Sequence, residues 1–190
     1  TRLAGQLVVS IAAGVRVADL ARWLGGHTRI VRAMPNTPAL VQAGIAGLFA
    51  PLDVSQDARS QAEAVLRAVG GVVWVEDESQ LDAVTAVSGS GPAYVFYFLE
   101  SLEAAAVAQG LAPATARQLA LQTFFGAAKL ALESGEEPAV LRQRVTSKGG
   151  TTERGIAALD AAGVKLAIGQ AVEAASRRSA ELGDELGRLA

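Results

Sequence analysis

The segment Thr146-Ser147-Lys148-Gly149-Gly150-Thr151-Thr152 carries the residue types from which chemistry is most readily built in this chain. Adjacent glycines let successive backbone N–H groups turn into one concavity. A helix starting at the two threonines adds unpaired N–H groups and the positive end of its dipole. The hydroxyls of Ser147 and Thr152 flank that nest. Such an arrangement takes a small anion, a carboxylate or phosphate, and leaves a hydroxyl free for a neighbouring atom. The same spacing also describes a capped helix behind a glycine hinge, and spacing alone leaves both readings open.

Other candidates are weaker. His27, in Gly25-Gly26-His27-Thr28, reads as a surface turn residue, and as the one histidine of the chain it has no partner for a relay or a zinc cluster. No metal site is expected. Carboxylates are scattered along helical stretches and read as solvated faces; Arg177-Arg178 reads as solvent or interface. Gly89-Ser90-Gly91 starts like a dinucleotide loop, but Tyr94 stands at the third glycine position and Pro92 removes an N–H, so it reads as a helix start.

Composition narrows the class. Hydrophobic residues make up 51% and charged residues 19%, enough for a substantial core and against wholesale disorder. There are 39 alanines against 5% aromatic residues, which favours closely packed helices over an aromatic-rich β core. A net charge of −2 argues against a nucleic-acid partner. With no cysteine, disulfides and thiolate chemistry are excluded. No apolar run reads as a transmembrane helix or signal peptide, so a cytoplasmic protein without a membrane partner is expected.

The elements that must position the candidates fall into two textures. Leu7 to Ile11, Arg29 to Ala33, Gly44 to Ala50 and Val72 to Glu76 read as strands, and Val17 to Leu24 and Ser55 to Val69 as helices between them. This alternation predicts an α/β sheet with parallel strands. The chain opens just ahead of a buried strand, so this part reads as the second half of a doubly wound domain. From Gln80 onward only helices are expected: one opened by Ser90 as N-cap with Pro92 behind it and stopped at Gly110, one from Pro113 to Ser134, a short one from Pro138, one reaching Ala162, and a last one to Gly187. Alanine clusters such as Ala104-Ala105-Ala106 permit short interhelical distances, either in a monomeric bundle or in an interleaved dimer.

Five motifs occur in order: Val8-Val9-Ser10-Ile11-Ala12-Ala13-Gly14-Val15, Ile30-Val31-Arg32-Ala33-Met34-Pro35-Asn36-Thr37-Pro38, Asp82-Ala83-Val84-Thr85, Ser88-Gly89-Ser90-Gly91-Pro92-Ala93-Tyr94 and Ser147-Lys148-Gly149-Gly150-Thr151-Thr152. Together they resemble the pyrroline-5-carboxylate reductase family, an oxidoreductase family that completes proline biosynthesis. The resemblance runs from about residue 7 to the last helix. It implies α/β followed by all-α: residues 1–78 as the C-terminal half of a Rossmann-type NAD(P)-binding domain and residues 79–190 as a helical dimerisation and substrate-binding domain. It further implies hydride transfer from NADPH or NADH to 1-pyrroline-5-carboxylate, and a homodimer that assembles further into a homodecamer.

The resemblance assigns roles to residues of this sequence. Ser147, Gly149, Gly150 and Thr151 match the positions that hold the substrate carboxylate. Thr152 matches the hydroxyl that reaches the ring nitrogen. Ala12, Ala13, Met34, Pro35 and Asn36 match turns at strand ends that receive the nicotinamide, and Glu78 and Thr85 match positions close to the cofactor. Two departures stand out. The family's glycine-rich phosphate loop is not in the sequence, so a non-catalytic oligomerisation and substrate-binding fragment is the alternative reading. Lys148 occupies a position where many members carry proline. Related imine and β-hydroxyacid dehydrogenases are disfavoured, because they place a lysine on the long helix where Tyr94 to Gln109 has none.

Overall fold

In the computed structural model, residue 3 and residues 5–188 are described. The chain divides into two compact units, Thr1–Pro92 with Gln170–Ala190, and Ala93–Gly169.

The first unit is built on four short strands: β1 (Val8–Ser10), β2 (Ile30–Met34), β3 (Gly44–Phe49) and β4 (Gly70–Trp74). Their order in the sheet is the order in sequence. β1 and β2 run parallel with Ser10 opposite Arg32, and β3 and β4 run parallel with Leu48 opposite Trp74. β2 and β3, however, are antiparallel, with Ala33 opposite Leu48. The all-parallel expectation is therefore corrected to a mixed sheet. The reason is the connection between them. Pro35 to Ala43 holds only a 3₁₀ turn at Thr37–Val41, whereas a parallel crossover needs a dozen or more residues.

Helix α1 (Val17–Trp23) links β1 to β2, and α2 (Gln56–Arg67) links β3 to β4. Ser55 caps α2 as the sequence predicts, its Oγ accepting the Ala58 N–H at 3.3 Å. Ala58, Ala62 and Leu66 recur every four residues on one face of α2. They bury against Val31, Ala33, Ala46 and Leu48 to form the core of this unit. Ile30, Val31 and Leu48 are completely buried, whereas β1, expected to be a buried strand, is only half-buried and Ile11 behind it is 64% exposed, because β1 is the edge strand of this sheet. The end of α8 (Val164–Gly187) belongs to the same unit: Ser179 Oγ donates to Asp82 Oδ1 at 2.6 Å, and Arg16 pairs with Asp184 at 2.6 Å.

Beyond β4 no strand occurs among the described residues. The long helix does not begin at Ser90, however. Short α3 (Gln80–Val84) runs into a π-helical turn at Thr85–Gly89 and then into α4 (Gly91–Ala108). Ser90 has helical backbone angles and donates its N–H five residues back to Thr85 O at 2.8 Å. It is thus inside a helical run and cannot serve as an N-cap, which requires an extended backbone.

The second unit comprises most of α4, α5 (Pro113–Ser134), α6 (Pro138–Arg144) and α7 (Thr151–Ala161), with proline opening α5 and α6 as expected. Few of its side chains are buried: Leu99, Ala116 and Ala120 are. By contrast Tyr97 is 70% exposed, Phe125 62% and Leu132 84%. Apolar surface on this scale marks an interaction surface rather than a solvated exterior.

Candidate functional site

In the first unit, the ends of the parallel pair β1 and β2 lie side by side, as the Ser10–Arg32 register requires. Ser10 leads into Ile11-Ala12-Ala13, all exposed, and β2 leads into half-buried Met34-Pro35-Asn36. Ala12 and Ala13 put only methyl groups at this edge, and Met34 and Pro35 add apolar surface. The carboxyl ends of parallel strands are where open α/β sheets receive nucleotide cofactors. A flat ring fits such a surface of small apolar side chains.

Behind this edge lies a water-accessible cleft of about 240 Å³, lined by Gly14, Arg16, Arg32, Glu78, Ser79, Asp82 and Gly183. Arg32 is a charged residue in an otherwise apolar strand and is 8% exposed. Its Nη1 pairs with Glu78 Oε1 at 2.8 Å, and the same oxygen accepts the Val17 N–H at 2.7 Å. Glu78 therefore ties the first turn of α1 to the middle of β2. Thr85 donates its hydroxyl to Leu81 O at 2.7 Å, within its own helical run. Asn36 uses both ends of its amide: Nδ2 donates to Ser88 O at 3.1 Å, and Oδ1 accepts the Ile45 N–H at 2.9 Å.

In the second unit, α6 ends at Arg144, and Thr146 closes it by donating its N–H to Gln143 O at 3.0 Å. The turn that follows depends on Gly149, whose φ of +74° is a left-handed conformation that favours glycine. Gly150 donates its N–H to Ser147 O at 3.0 Å and is the N-cap of α7. Gly149 donates its N–H to Glu153 Oε2 at 2.7 Å. Ser147, Lys148, Thr151 and Thr152 are exposed, and the first turn of α7 leaves the Thr151 and Thr152 N–H groups without a partner within the helix. The loop thus brings Ser147, Gly149, Gly150, Thr151 and Thr152 together at one helix start. The Gly150 N–H is committed to the turn, while the Gly149 N–H already holds a carboxylate.

A family model described as pyrroline-5-carboxylate reductase dimerisation matches residues 78–182. A pyrroline-5-carboxylate reductase of Pseudomonas aeruginosa is 52% identical over 183 residues, covering 96% of this chain and 67% of the relative. The chain belongs to the pyrroline-5-carboxylate reductase family. A further reductase of this family, from Synechocystis, is 49% identical over 177 residues, 93% of this chain and 66% of its own length. The chain thus spans about two thirds of the length of the relatives it matches. Among solved structures, the pyrroline-5-carboxylate reductase of Coxiella burnetii superimposes with a TM-score of 0.91 at 47% identity, over 95% of this chain and 67% of that one. The Plasmodium falciparum enzyme, solved with NADP bound, gives 0.86 at 32% identity, over 95% of this chain and 72% of that one. The architecture is accordingly that of the reductase family, a Rossmann-type sheet followed by a helical dimerisation region.

Three residues around these groups were not singled out from the sequence of this reductase-family chain. Arg32 was signalled by a lone charge inside a buried strand. Glu153 was signalled by its place three residues after the helix N-cap, where a carboxylate reaches back to free N–H groups. Ser88 contributes only a main-chain carbonyl and has no signal of its own. Among the described residues no group of three histidine, cysteine, aspartate or glutamate side chains is placed to hold a metal, and no single helix is long and apolar enough to cross a membrane.

Proposed function

We propose that this chain is the greater part of an NAD(P)H-dependent pyrroline-5-carboxylate reductase, converting 1-pyrroline-5-carboxylate to L-proline in the last step of proline biosynthesis. The observation that carries the reading is the Ser147–Thr152 loop in a member of this family, where the Gly149 N–H holds a carboxylate and the Ser147, Thr151 and Thr152 hydroxyls are exposed. The NADP bound to the Plasmodium relative supports the cofactor.

When bound, the dihydronicotinamide supplies a hydride to the C=N carbon of the cyclic imino acid, whose ring nitrogen arrives protonated, so that atoms and electrons balance without a side-chain base. Ser147 Oγ and the backbone around Gly149, Gly150 and Thr151 hold the substrate carboxylate, displacing Glu153. Thr152 Oγ1 accepts the N–H of the protonated ring and keeps that proton in place as the charge on nitrogen is lost. Ala12, Ala13, Met34 and Pro35 form the surface for the nicotinamide, with Asn36, Glu78 and Thr85 around it. Fixing the reacting groups in aligned geometry is worth up to about 7–11 kcal/mol in favourable cases, so catalysis by positioning suffices.

The domain division proposed is 1–78 for the cofactor and 79–190 for dimerisation and substrate. The exposed Tyr97, Phe125 and Leu132 support an interleaved homodimer; a homodecamer built from such dimers, working in the cytoplasm, completes the proposal on the family resemblance alone. A second reading, an oligomerisation and substrate-binding fragment without turnover, is favoured by one observation: the 190 residues contain no Gly-x-Gly-x-x-Gly loop. The test is NADPH oxidation coupled to proline formation, by this chain and by the full-length enzyme. Proline from the full-length enzyme upholds the reductase reading, and its absence refutes it. Turnover by the 190 residues alone refutes the second reading.

A further inference from the structure

The π-helical turn Thr85–Gly89 interrupts an otherwise continuous helical run. π-turns are rare and, as single turns inside α-helices, recur at functional sites. What holds this one in place is visible in the contacts around it. Asn36 reaches across from the turn after β2 and donates Nδ2 to Ser88 O, inside the π-turn. Its Oδ1 accepts from the first residues of β3, at the Ile45 N–H. The partners fix the orientation of the amide, since a carbonyl needs a donor and an N–H an acceptor. Beneath it, a Cβ on Gly89 would stand 2.7 Å from Met34 Cε and 3.7 Å from Thr85 Cγ2. Gly89 is thus what lets Met34, Thr85 and the π-turn share one patch.

We propose that Asn36 is a positioning residue: it clamps the π-turn Thr85–Gly89 to the strand end bearing Met34 and Pro35, and so builds the nicotinamide surface without contacting the cofactor itself. The inference rests on the reductase reading for the identity of that cofactor. It replaces the direct contact that the family resemblance assigns to Asn36 with a structural cause. One amide joins its own turn to the start of β3, nine residues on, and to the π-turn, 52 residues on. Losing it frees Ser88 O, loosens the Ser90-to-Thr85 hydrogen bond behind it, and lets Thr85 move relative to Met34.

Hydrogen exchange on the cofactor-free chain separates positioning from contact. In Asn36→Ala the Ser90 amide is expected to exchange at least about tenfold faster, the equivalent of about 1.4 kcal/mol of lost hydrogen bonding, while the Leu48 and Leu66 amides keep their protection. Asn36→Asp keeps an acceptor for Ile45 but sets an oxygen against Ser88 O, so it should loosen the π-turn equally and leave β3 in place. In the full-length enzyme both variants should raise KM for NADPH about tenfold with a smaller change in kcat and in KM for the imino acid. Unchanged Ser90 exchange in both variants, with weakened NADPH binding, would show direct contact and overturn the proposal. Faster exchange with unaltered NADPH affinity would overturn it too. A parent enzyme that takes up no NADPH refutes the reductase reading separately, before any variant is made.

Discussion

Thr152→Ala offers the sharpest test of the proposed chemistry, because the structure removes its usual confounder. Had Thr152 been the N-cap of α7, alanine would cost about 1 kcal/mol of stability and blur any kinetic effect. The N-cap is instead Gly150, the side chain reaching back over this helix start is that of Glu153, and Thr152 is the exposed second residue of α7. Alanine is the better helix former there, by up to about 0.7 kcal/mol, so the variant should melt no lower than the parent. Its loss is confined to the reaction. A hydrogen bond to a charged group is worth about 1.5–3 kcal/mol, which at about 1.4 kcal/mol per tenfold predicts a fall in kcat/KM of about 10- to 150-fold. Thr152→Ser keeps the hydroxyl and should retain most activity. The assay pairs NADPH oxidation on pyrroline-5-carboxylate with a thermal melt of the same full-length variants. A Thr152→Ala enzyme within twofold of the parent in kcat/KM would refute the role given to this hydroxyl.

Three further outcomes are expected. Glu153→Ala frees the Gly149 N–H for which, in the proposed binding mode, the substrate carboxylate competes with Glu153, and because that contact is exposed KM should fall by up to about fivefold with kcat unchanged; a raised KM would show that Glu153 supports the loop instead. At micromolar concentration the chain should sediment as a dimer or larger, and Phe125→Asp should shift it toward the 19.4 kDa monomer; a parent that is already monomeric would contradict the interface reading. The Trp74 indole donates to Glu63 at 2.8 Å, and this bond, with Arg67 beside it, holds the Glu63 carboxyl below its ordinary value. A depressed carboxylate stabilises the fold above its unfolded pKa and loses that contribution as pH falls through the folded one, so Trp74 fluorescence in a Trp23→Phe background should change only below the usual glutamate range.

Much of this fold was legible because local chemistry decided it. Ile30-Val31 and Leu48 read as strand residues from β-branched and apolar runs, but which strand would be buried was not legible: β1 lies at the sheet edge and is only half-buried. Ser55, Pro113 and Pro138 marked helix starts by backbone rules that tertiary context did not override. Strand direction was not legible in the same way. It turned on whether Pro35 to Ala43 could hold a crossover helix, and two prolines signalled only irregularity. Ser90 misled for a related reason: the Ser-Gly-Pro pattern marks a helix start, yet α3 and the π-turn upstream supply the backbone that an N-cap would have to begin. In the candidate site, residue types pointed to the Ser147–Thr152 loop, but which N–H stays free depends on Ser147 O and Glu153, and so on three-dimensional closure.

The sheet-containing unit takes its last piece from the far end of the chain: Ser179 and Asp184 of α8 bond to Asp82 and Arg16. Between the two stretches of this unit lies the whole of Ala93–Gly169. During synthesis the strands therefore emerge long before the helix that completes their packing, and closing so long a loop is an entropic cost met only at the end. Folding of the sheet unit should finish only after Ser179 and Asp184 have emerged from the ribosome. A truncation ahead of Ser179 should accordingly lower the protection of β1 and α1 amides while sparing those of α5, so damage in α8 would surface more than 150 residues earlier in the sequence.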